Sequence, residues 1–414
     1  MRSFTTAWFE VCFGLIFVAS GIFRTASTLS RRDRHVRSAV RRRTRCADSV
    51  FPTHRRRIPR TAGTSTRFEG TVVKIIFSRA WAVRAFLLLM AAVSPGAAHA
   101  QTAVRFSLDF RIEGPQALFL LGLDRGFYKA EGLDVTIDPA TSSLEPITRI
   151  AAGSHDMGFG DINSLIKFRD QNPGTPIKAI FMVYNRPPFA VVARKSRGIT
   201  SPADLEGKKL GAPATDGAFA QWKLFTKLNN IDPAKVTVEN VGFPVREPML
   251  AAGQVDAITG FAFSSFVNLK DRGVPLDDIV VLNMADYGLD LYGNTIMVSP
   301  KFAAEKPAAV QAFLRAFLRS FKETVNDPAT AVESVLKRNK LAKKDVELER
   351  LQMAIRDNIV TEEVKKNGYG AIDPMRLDHA IDQIATTSQF KVRPKASEMF
   401  DASFLPPLSE RRVD

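Results

Sequence analysis

Ala151-Ala152-Gly153-Ser154-His155-Asp156-Met157-Gly158-Phe159-Gly160-Asp161 is echoed one hundred residues later by Ala251-Ala252-Gly253-Gln254-Val255-Asp256-Ala257-Ile258-Thr259-Gly260-Phe261. Each copy follows an apolar stretch of helical type and opens a short apolar run of strand type. The glycine suits the left-handed residue just past a helix end, and the aspartate opens the turn into the strand. Each copy therefore reads as helix, turn, strand, and the pair predicts two α/β lobes built alike. Ligands of open α/β sheets sit beyond the carboxyl ends of the strands. Gly160-Asp161 and Gly260-Phe261 are accordingly expected to face each other across a cleft.

Outward from the repeat, strands alternate with helices. Strands are expected at 104–110, 133–137, 157–159, 177–184 and 189–193, with helices at 116–124, 144–152 and 162–170 between them. Ser201-Pro202-Ala203-Asp204 supplies a cap, a proline and an acid, the start signal of a helical turn that Gly207 stops. Strands follow at 209–212, 236–241, 279–283 and 295–298, with helices at 218–229 and 246–252. After Ser299-Pro300, helical spacing holds at 307–325, 329–337, 344–357 and 374–386. This alternation is the mark of stacked βαβ units. The basic run Lys337 to Lys344 has no aromatic interleaving and reads as a solvated helix face and turn. Gly368-Tyr369-Gly370 marks a loop.

Charge is divided sharply along the chain. The net charge is +15, yet residues 1–100 hold 18 of the 58 basic and only 4 of the 43 acidic residues. The remaining 314 residues are nearly neutral, at +1. A nucleic-acid interface needs its excess of basic residues on the folded body, so that partner is excluded for residues 101–414. Ser78 to Ala100 reads as a secretory signal. Lys74, Arg79 and Arg84 form the charged start, Ala85 to Val93 the apolar core, and Ala98-His99-Ala100 the cleavage site before Gln101. Upstream, Thr6 to Phe23 is apolar apart from Glu10, and Arg31 to Arg60 is rich in arginine. Because a signal peptide normally opens a protein, residues 1–71 read as a misassigned or disordered extension and 72–100 as the signal peptide; the alternative is a membrane anchor at Thr6 to Phe23 with a basic cytoplasmic flank, against which Glu10 and the second hydrophobic segment count. Both cysteines, Cys12 and Cys46, precede the cleavage site. The exported part thus has no thiol nucleophile, disulfide or cysteine metal site, and its histidines, His155 and His379, lack metal-ligand spacing. No metal and no cofactor are expected.

Two further blocks carry a resemblance. Gly126-Phe127-Tyr128-Lys129-Ala130-Glu131-Gly132-Leu133-Asp134-Val135 and Ile199-Thr200-Ser201-Pro202-Ala203-Asp204-Leu205-Glu206-Gly207-Lys208, with Leu210-Gly211, resemble segments of the substrate-binding proteins that serve ABC importers for sulfonates, taurine, nitrate and thiamine-pyrimidine precursors. The resemblance spans 104 to about 390. It implies a two-lobed periplasmic binding protein of type II, each lobe a sheet flanked by helices, with a C-terminal helical segment. Lobe one would be 101–193 completed by 297–390, lobe two 194–296, and 391–414 a tail. The crossings would lie near Val192-Ala193-Arg194 and Ile296-Met297-Val298. The implied role is capture of a small solute in the interlobe cleft by a monomer that delivers it to a permease and ATPase at the inner membrane. A ligand-sensing partner of a membrane receptor would use the same fold.

On that fold the ligand residues follow from the loops at strand ends. They are Phe110, Glu113, Gly114, Asp161, Asn163 and Arg186 in lobe one, and Thr215, Asp216, Gly217, Phe261, Phe263 and Ser264 in lobe two. Asp216 is either a ligand group or a plain helix cap. Phe261 and Phe263 alternate along an extended segment, and either stack on a planar ligand or belong to the core. Trp222 reads as core. Acidic loops carrying Glu113, Asp161, Asp216 and Asp286, with Arg111 and Arg186 as partners and aromatic rings at hand, favour a planar, nitrogen-bearing or aromatic solute over a bare sulfonate, taurine or nitrate. Asp109-Phe110-Arg111-Ile112-Glu113-Gly114-Pro115-Gln116 departs at four positions from the first loop of the thiamine-precursor branch. An enzyme of similar fold builds the thiamine pyrimidine from its own histidine, with a cysteine-rich cluster and a cofactor-bound lysine. Here Gln116 stands at that histidine and no cysteine is left, so catalysis is not expected.

Overall fold

A computed structural model describes residues 101–413. The extension expected over 1–71 and the signal peptide over 72–100 lie outside the described residues. Ten strands form two five-stranded sheets of the same plan. They are β1 (Thr102–Ser107), β2 (Leu133–Asp138), β3 (Met157–Asp161), β4 (Lys178–Met182), β5 (Phe189–Arg194), β6 (Lys209–Ala212), β7 (Thr237–Asn240), β8 (Ala257–Phe261), β9 (Ile279–Asn283) and β10 (Asn294–Val298). Sheet one has the order β2-β1-β3-β10-β4 and sheet two the order β7-β6-β8-β5-β9. In each, the fourth strand runs antiparallel to both neighbours. The helices that matter below are α1 (Ala117–Asp124), α2 (Glu145–Ala151), α3 (Ile162–Gln171), α4 (Arg246–Ala251), α5 (Ala262–Asp271), α6 (Pro307–Asn326) and α7 (Lys344–Ala354). Among the described residues no helix is long and apolar enough to cross a membrane.

The repeated phrase folds the same way in both sheets. Gly153 and Gly253 close α2 and α4 with φ of 71° and 70°, a region where a Cβ is costly. The aspartate that follows then zips the next strand to its neighbour. Asp156 donates its N–H to Arg105 O and accepts from Arg105 N, both at 2.9 Å, and Asp256 does the same with Lys209 at 2.9 Å each way. An arginine covers the glycine carbonyl in each copy, Arg105 at 3.1 Å and Arg197 at 3.0 Å. The repeat is thus a device that ends a helix, turns the chain and sets strand register.

Three expectations need correction. β5 belongs to sheet two and β10 to sheet one, so the chain crosses at 183–188 and 284–293, earlier than the expected 192–194 and 296–298. Pro187 and Pro188 explain the first crossing, since neither can donate to a ladder. The extended segment expected to carry both Phe261 and Phe263 ends at Phe261, and residues 262–271 form a helix. Phe261 is its cap residue with no side-chain hydrogen bond, so the usual start signal is missing. The strand expected to reach residue 110 stops at Ser107, which frees Asp109 and Phe110 for the loop above the sheet. The segment beyond 391 meets sheet one: Phe400 bridges to Ala179, and Asp401 N donates to Ala179 O at 2.8 Å.

Phenylalanine dominates the core of sheet one. Phe106 stacks on Phe313 at 5.0 Å and Phe119 on Phe317 at 4.8 Å. These contacts fix α6 across α1, where Ser320 Oγ donates to Leu118 O at 2.7 Å. Each such ring contributes roughly 1.5–3 kcal/mol on full burial. The other core extends under sheet two and includes Trp222 and Phe225, as expected for Trp222.

Candidate functional site

Between the sheets lies a pocket of about 450 Å³ of empty space, its mouth included. Sheet one's side contributes Asp109, Phe110, Glu113, Gln116, Ser142, Ser143 and Tyr184. Sheet two's side contributes Asp216, Phe243, Arg246, Phe261, Phe263 and Ser264. Strand ends supply most of these groups, and two glycines make room for the rest. A Cβ on Gly160 would lie 2.7 Å from Ser143 O, and one on Gly260 would lie 2.5 Å from Ser265 Oγ and 3.0 Å from the Arg246 guanidinium. The last residues of the repeat therefore seat the neighbouring chain against the strand and bring Ser143 and Arg246 to the pocket.

Four phenylalanines set its apolar character. Phe110 and Phe243 meet edge to face at 5.2 Å, one from each side of the cleft. Phe261 and Phe263 meet at 5.8 Å. Arg111 lies over the Phe110 ring at 4.6 Å and Arg246 over the Phe243 ring at 5.5 Å, so each of these two rings has one face turned to a cation.

The acidic groups are already engaged. Glu113 Oε1 accepts from Arg111 Nε at 2.6 Å, and Oε2 accepts from Ser264 Oγ at 3.0 Å and Arg350 Nη1 at 3.2 Å. Arg350 comes from α7 and is only 2 % exposed. It also reaches Glu347 at 3.0 Å, Ser264 Oγ at 2.8 Å and Asn268 at 3.1 Å. Burial tends to discharge this guanidinium, but Glu113 and Glu347 outweigh that and hold it protonated. Asp109 accepts from Gln116 at 2.9 Å and Asn294 at 2.8 Å, yet burial pushes its carboxyl up to about 7. Asp216 accepts from Thr259 at 2.7 Å, and burial raises its carboxyl despite Arg246 at 3.8 Å. Burial also acts to raise Glu247, but the Arg246 charge at 2.7 Å overrides it and the net shift is downward.

Six of the twelve expected ligand residues line this pocket: Phe110, Glu113, Asp216, Phe261, Phe263 and Ser264. Gly217 lies beside it, where a Cβ would be 3.4 Å from Phe189 and 3.6 Å from Phe261. The others sit elsewhere. Asp161 caps α3 by accepting from Asn163 N and Ser164 N, and Asn163 donates to Asp161 and to Tyr292 O. Gly114 is packed against α7, where a Cβ would fall 2.1 Å from Glu347 O. Thr215 is exposed. Arg186 pairs with Asp286 at the crossing. Tyr369 is packed against Phe321. Ser142, Ser143, Tyr184, Phe243 and Arg246 were missed, with Asp109 and Gln116. Only Arg246 left a signal, as a charged residue where the first copy has Pro146. Among the described residues no group of three or more His, Cys, Asp or Glu is placed to hold a metal.

The sequence pattern of the family described as NMT1/THI5 like matches residues 116–331. A riboflavin-binding protein of Chloroflexus aurantiacus is 26 % identical over 245 residues, 59 % of this chain and 68 % of that protein. A 4-amino-5-hydroxymethyl-2-methylpyrimidine phosphate synthase of Schizosaccharomyces pombe is 24 % identical over 216 residues, 50 % of this chain and 61 % of that protein. In structure, the alkanesulfonate-binding protein of Xanthomonas axonopodis superposes with a TM-score of 0.56 at 14 % identity, covering 72 % of this chain and 98 % of the other. That likeness shows the periplasmic-binding-protein fold. The expectation that catalysis is absent does not stand. Synthases are among the chain's relatives, so a missing cysteine cluster and a glutamine at position 116 do not exclude an enzyme.

Proposed function

Because the chain belongs to the NMT1/THI5-like family, we propose that it captures a planar aromatic or nitrogen-bearing solute between its two sheets and hands it to an ABC permease and ATPase at the inner membrane. The observation that carries this reading is the pocket wall: Phe110, Phe243, Phe261 and Phe263, drawn from both sides of the cleft, around a few polar groups. A flat guest touching rings on both sides stabilises the closed arrangement, which is how hinge proteins of this fold couple binding to closure. The riboflavin-binding relative carries a flat heteroaromatic ligand in its name, which supports the same class. The secretory signal read at 72–100 supports a periplasmic location, and the reading takes the protein as a monomer there.

The test is a thermal-shift screen of the purified protein with aminopyrimidines, flavins, aromatic acids, sulfonates, taurine and nitrate. A ligand that binds only the folded state raises the melting temperature, by ~2.7 kcal/mol of stabilisation at one hundred times Kd. A shift with planar aromatic compounds supports the reading. A shift confined to taurine, alkanesulfonates or nitrate refutes it. Hits are incubated and analysed for chemical change, which would reveal turnover of the kind the synthase relatives carry out.

A further inference from the structure

Around the two copies of the repeat, three corresponding positions change from apolar to polar beside the pocket. At an offset of one hundred residues, Pro146, Ile147 and Leu165 of the first copy correspond to Arg246, Glu247 and Ser265 of the second. The first three are a buried apolar patch, with Ile147 and Leu165 fully covered. The second three are a buried polar trio. Arg246 Nη2 donates to Glu247 at 2.7 Å and to Ser265 Oγ at 3.3 Å, and Ser265 Oγ donates to Glu247 at 2.9 Å. Arg246 is 4 % exposed and Glu247 2 %. A buried ion pair is seldom more stabilising than apolar side chains of similar size, and this fold shows in its own other half that apolar residues serve. Among the described residues, the remaining guanidinium nitrogen, Arg246 Nη1, makes no hydrogen bond; it lies 3.8 Å from Asp216, and the guanidinium sits over the Phe243 ring at 5.5 Å. Arg246 lines the pocket.

The rest of the pocket has the same bias. Every carboxylate oxygen of Asp109, Glu113 and Asp216 already accepts a hydrogen bond. Among the described residues, the hydroxyls of Ser142, Ser143 and Tyr184 donate to nothing, and all three residues are buried and line the cavity. The carboxylates are engaged, whereas Arg246 Nη1 can only donate and the three hydroxyls are free to donate beside it, so a guest that brings acceptors is complementary. This rests on reading the pocket as a site for an aromatic solute. We propose that Arg246 is its specificity-determining residue and that the solute class is a planar ring bearing a carboxylate or similarly acceptor-rich edge. Arg246 and the three hydroxyls receive that edge, and the phenylalanines receive the ring.

The experiment is calorimetric titration of the purified protein with matched rings. Benzoate, nicotinate and orotate form one series, and benzylamine, benzamidine and 4-amino-2-methylpyrimidine the other. Wild type is expected to bind the carboxylates at least tenfold more tightly than the amines. The double variant Arg246→Met with Glu247→Leu restores the apolar pair of the first copy. It should keep its fold by circular dichroism and lose tenfold or more of carboxylate affinity. Tyr184→Phe should lose about fivefold, in line with ~1 kcal/mol for one hydrogen bond. Arg246→Lys keeps the charge without the planar fork, serves if the double variant does not fold, and should also lose about tenfold. Tighter binding of the amines overturns this inference and leaves the aromatic-solute reading intact. So does a carboxylate preference that survives in the folded variants. Binding of neither series overturns that reading and this inference with it.

Discussion

Replacing Arg350 by methionine removes a guanidinium that touches both walls of the pocket at once, Glu113 on one side and Ser264 and Asn268 on the other. The methionine fills much of the volume, so the loss is mainly electrostatic. Glu113 and Glu347 are 5 % exposed each, and the variant leaves two buried carboxylates facing each other without their shared cation. Breaking a buried pair from one side costs about 3–5 kcal/mol. At roughly 2 °C per kcal/mol for a chain of this size, the melting temperature at pH 8 should fall by roughly 6–10 °C. The pH dependence checks the cause. Burial, then repulsion from Glu113, already raises the Glu347 carboxyl in the wild type despite Arg350. Without Arg350 its folded pKa rises further above the unfolded value. The penalty is therefore small below the unfolded pKa and grows as pH climbs through the folded one. Scanning calorimetry at pH 5 and pH 8 should show a deficit distinctly smaller at pH 5. A deficit under 2 °C at pH 8, or one that is equal at both pH values, would refute the electrostatic argument.

Asp109 gives a second pH signature. Its folded pKa of about 7 lies above the usual carboxylate value, so the stability linked to its proton is full below about pH 4 and lost as pH rises through 7. Asp109→Asn should flatten the fall in melting temperature between pH 5 and pH 8, and an unchanged slope would show that another group titrates there. Asp161→Ala removes the cap of α3 and should cost about 1 kcal/mol in urea unfolding, with ligand affinity changed less than twofold. A large affinity loss would return Asp161 to the binding site. Gly153→Ala and Gly253→Ala place a Cβ at φ of 71° and 70°. Each should cost about 1–2 kcal/mol, Gly253→Ala the more, because its Cβ would also meet Arg197 at 3.3 Å while that of Gly153 meets no described atom within 4 Å; a smaller cost at Gly253 would refute that contact.

The fold was legible where local chemistry decides geometry. Gly153, Gly253, Asp156 and Asp256 act on their own neighbours, so their spacing carries the turn, the strand and the two-lobed plan without help from distant residues. The helix over 262–271 was hidden because Phe261, a side chain with no capping oxygen, stands where the first copy has Asp161. The crossings were misplaced because the apolar run 189–194 fits either sheet, and only pairing with β8 and β9 decides. Phe110 and Glu113 lie in the loop beyond β1 and Ser264 in the first turn of the helix that follows β8, the places where sites form. Ser143 and Tyr184 reach the pocket through packing: Ser143 lies against Gly160 in three dimensions, and nothing in their local sequence marks either one. Asp161 and Asn163 read as ligand groups from sequence because a capping aspartate and a binding aspartate look alike there.

The two sheets also differ in when they can be finished. Sheet two is made entirely of residues 189–283, whereas sheet one waits for β10, which arrives more than one hundred residues after β4 and inserts between β3 and β4. A chain that has emerged only as far as residue 290 holds every strand of one sheet and a gap in the middle of the other. Closing that gap requires contacts of long sequence separation, which form slowly. Sheet two is therefore the natural first-formed half. Until β10 inserts, sheet one presents the unpaired edges of β3 and β4, so this late strand is where assembly is most exposed to wrong pairing with another chain.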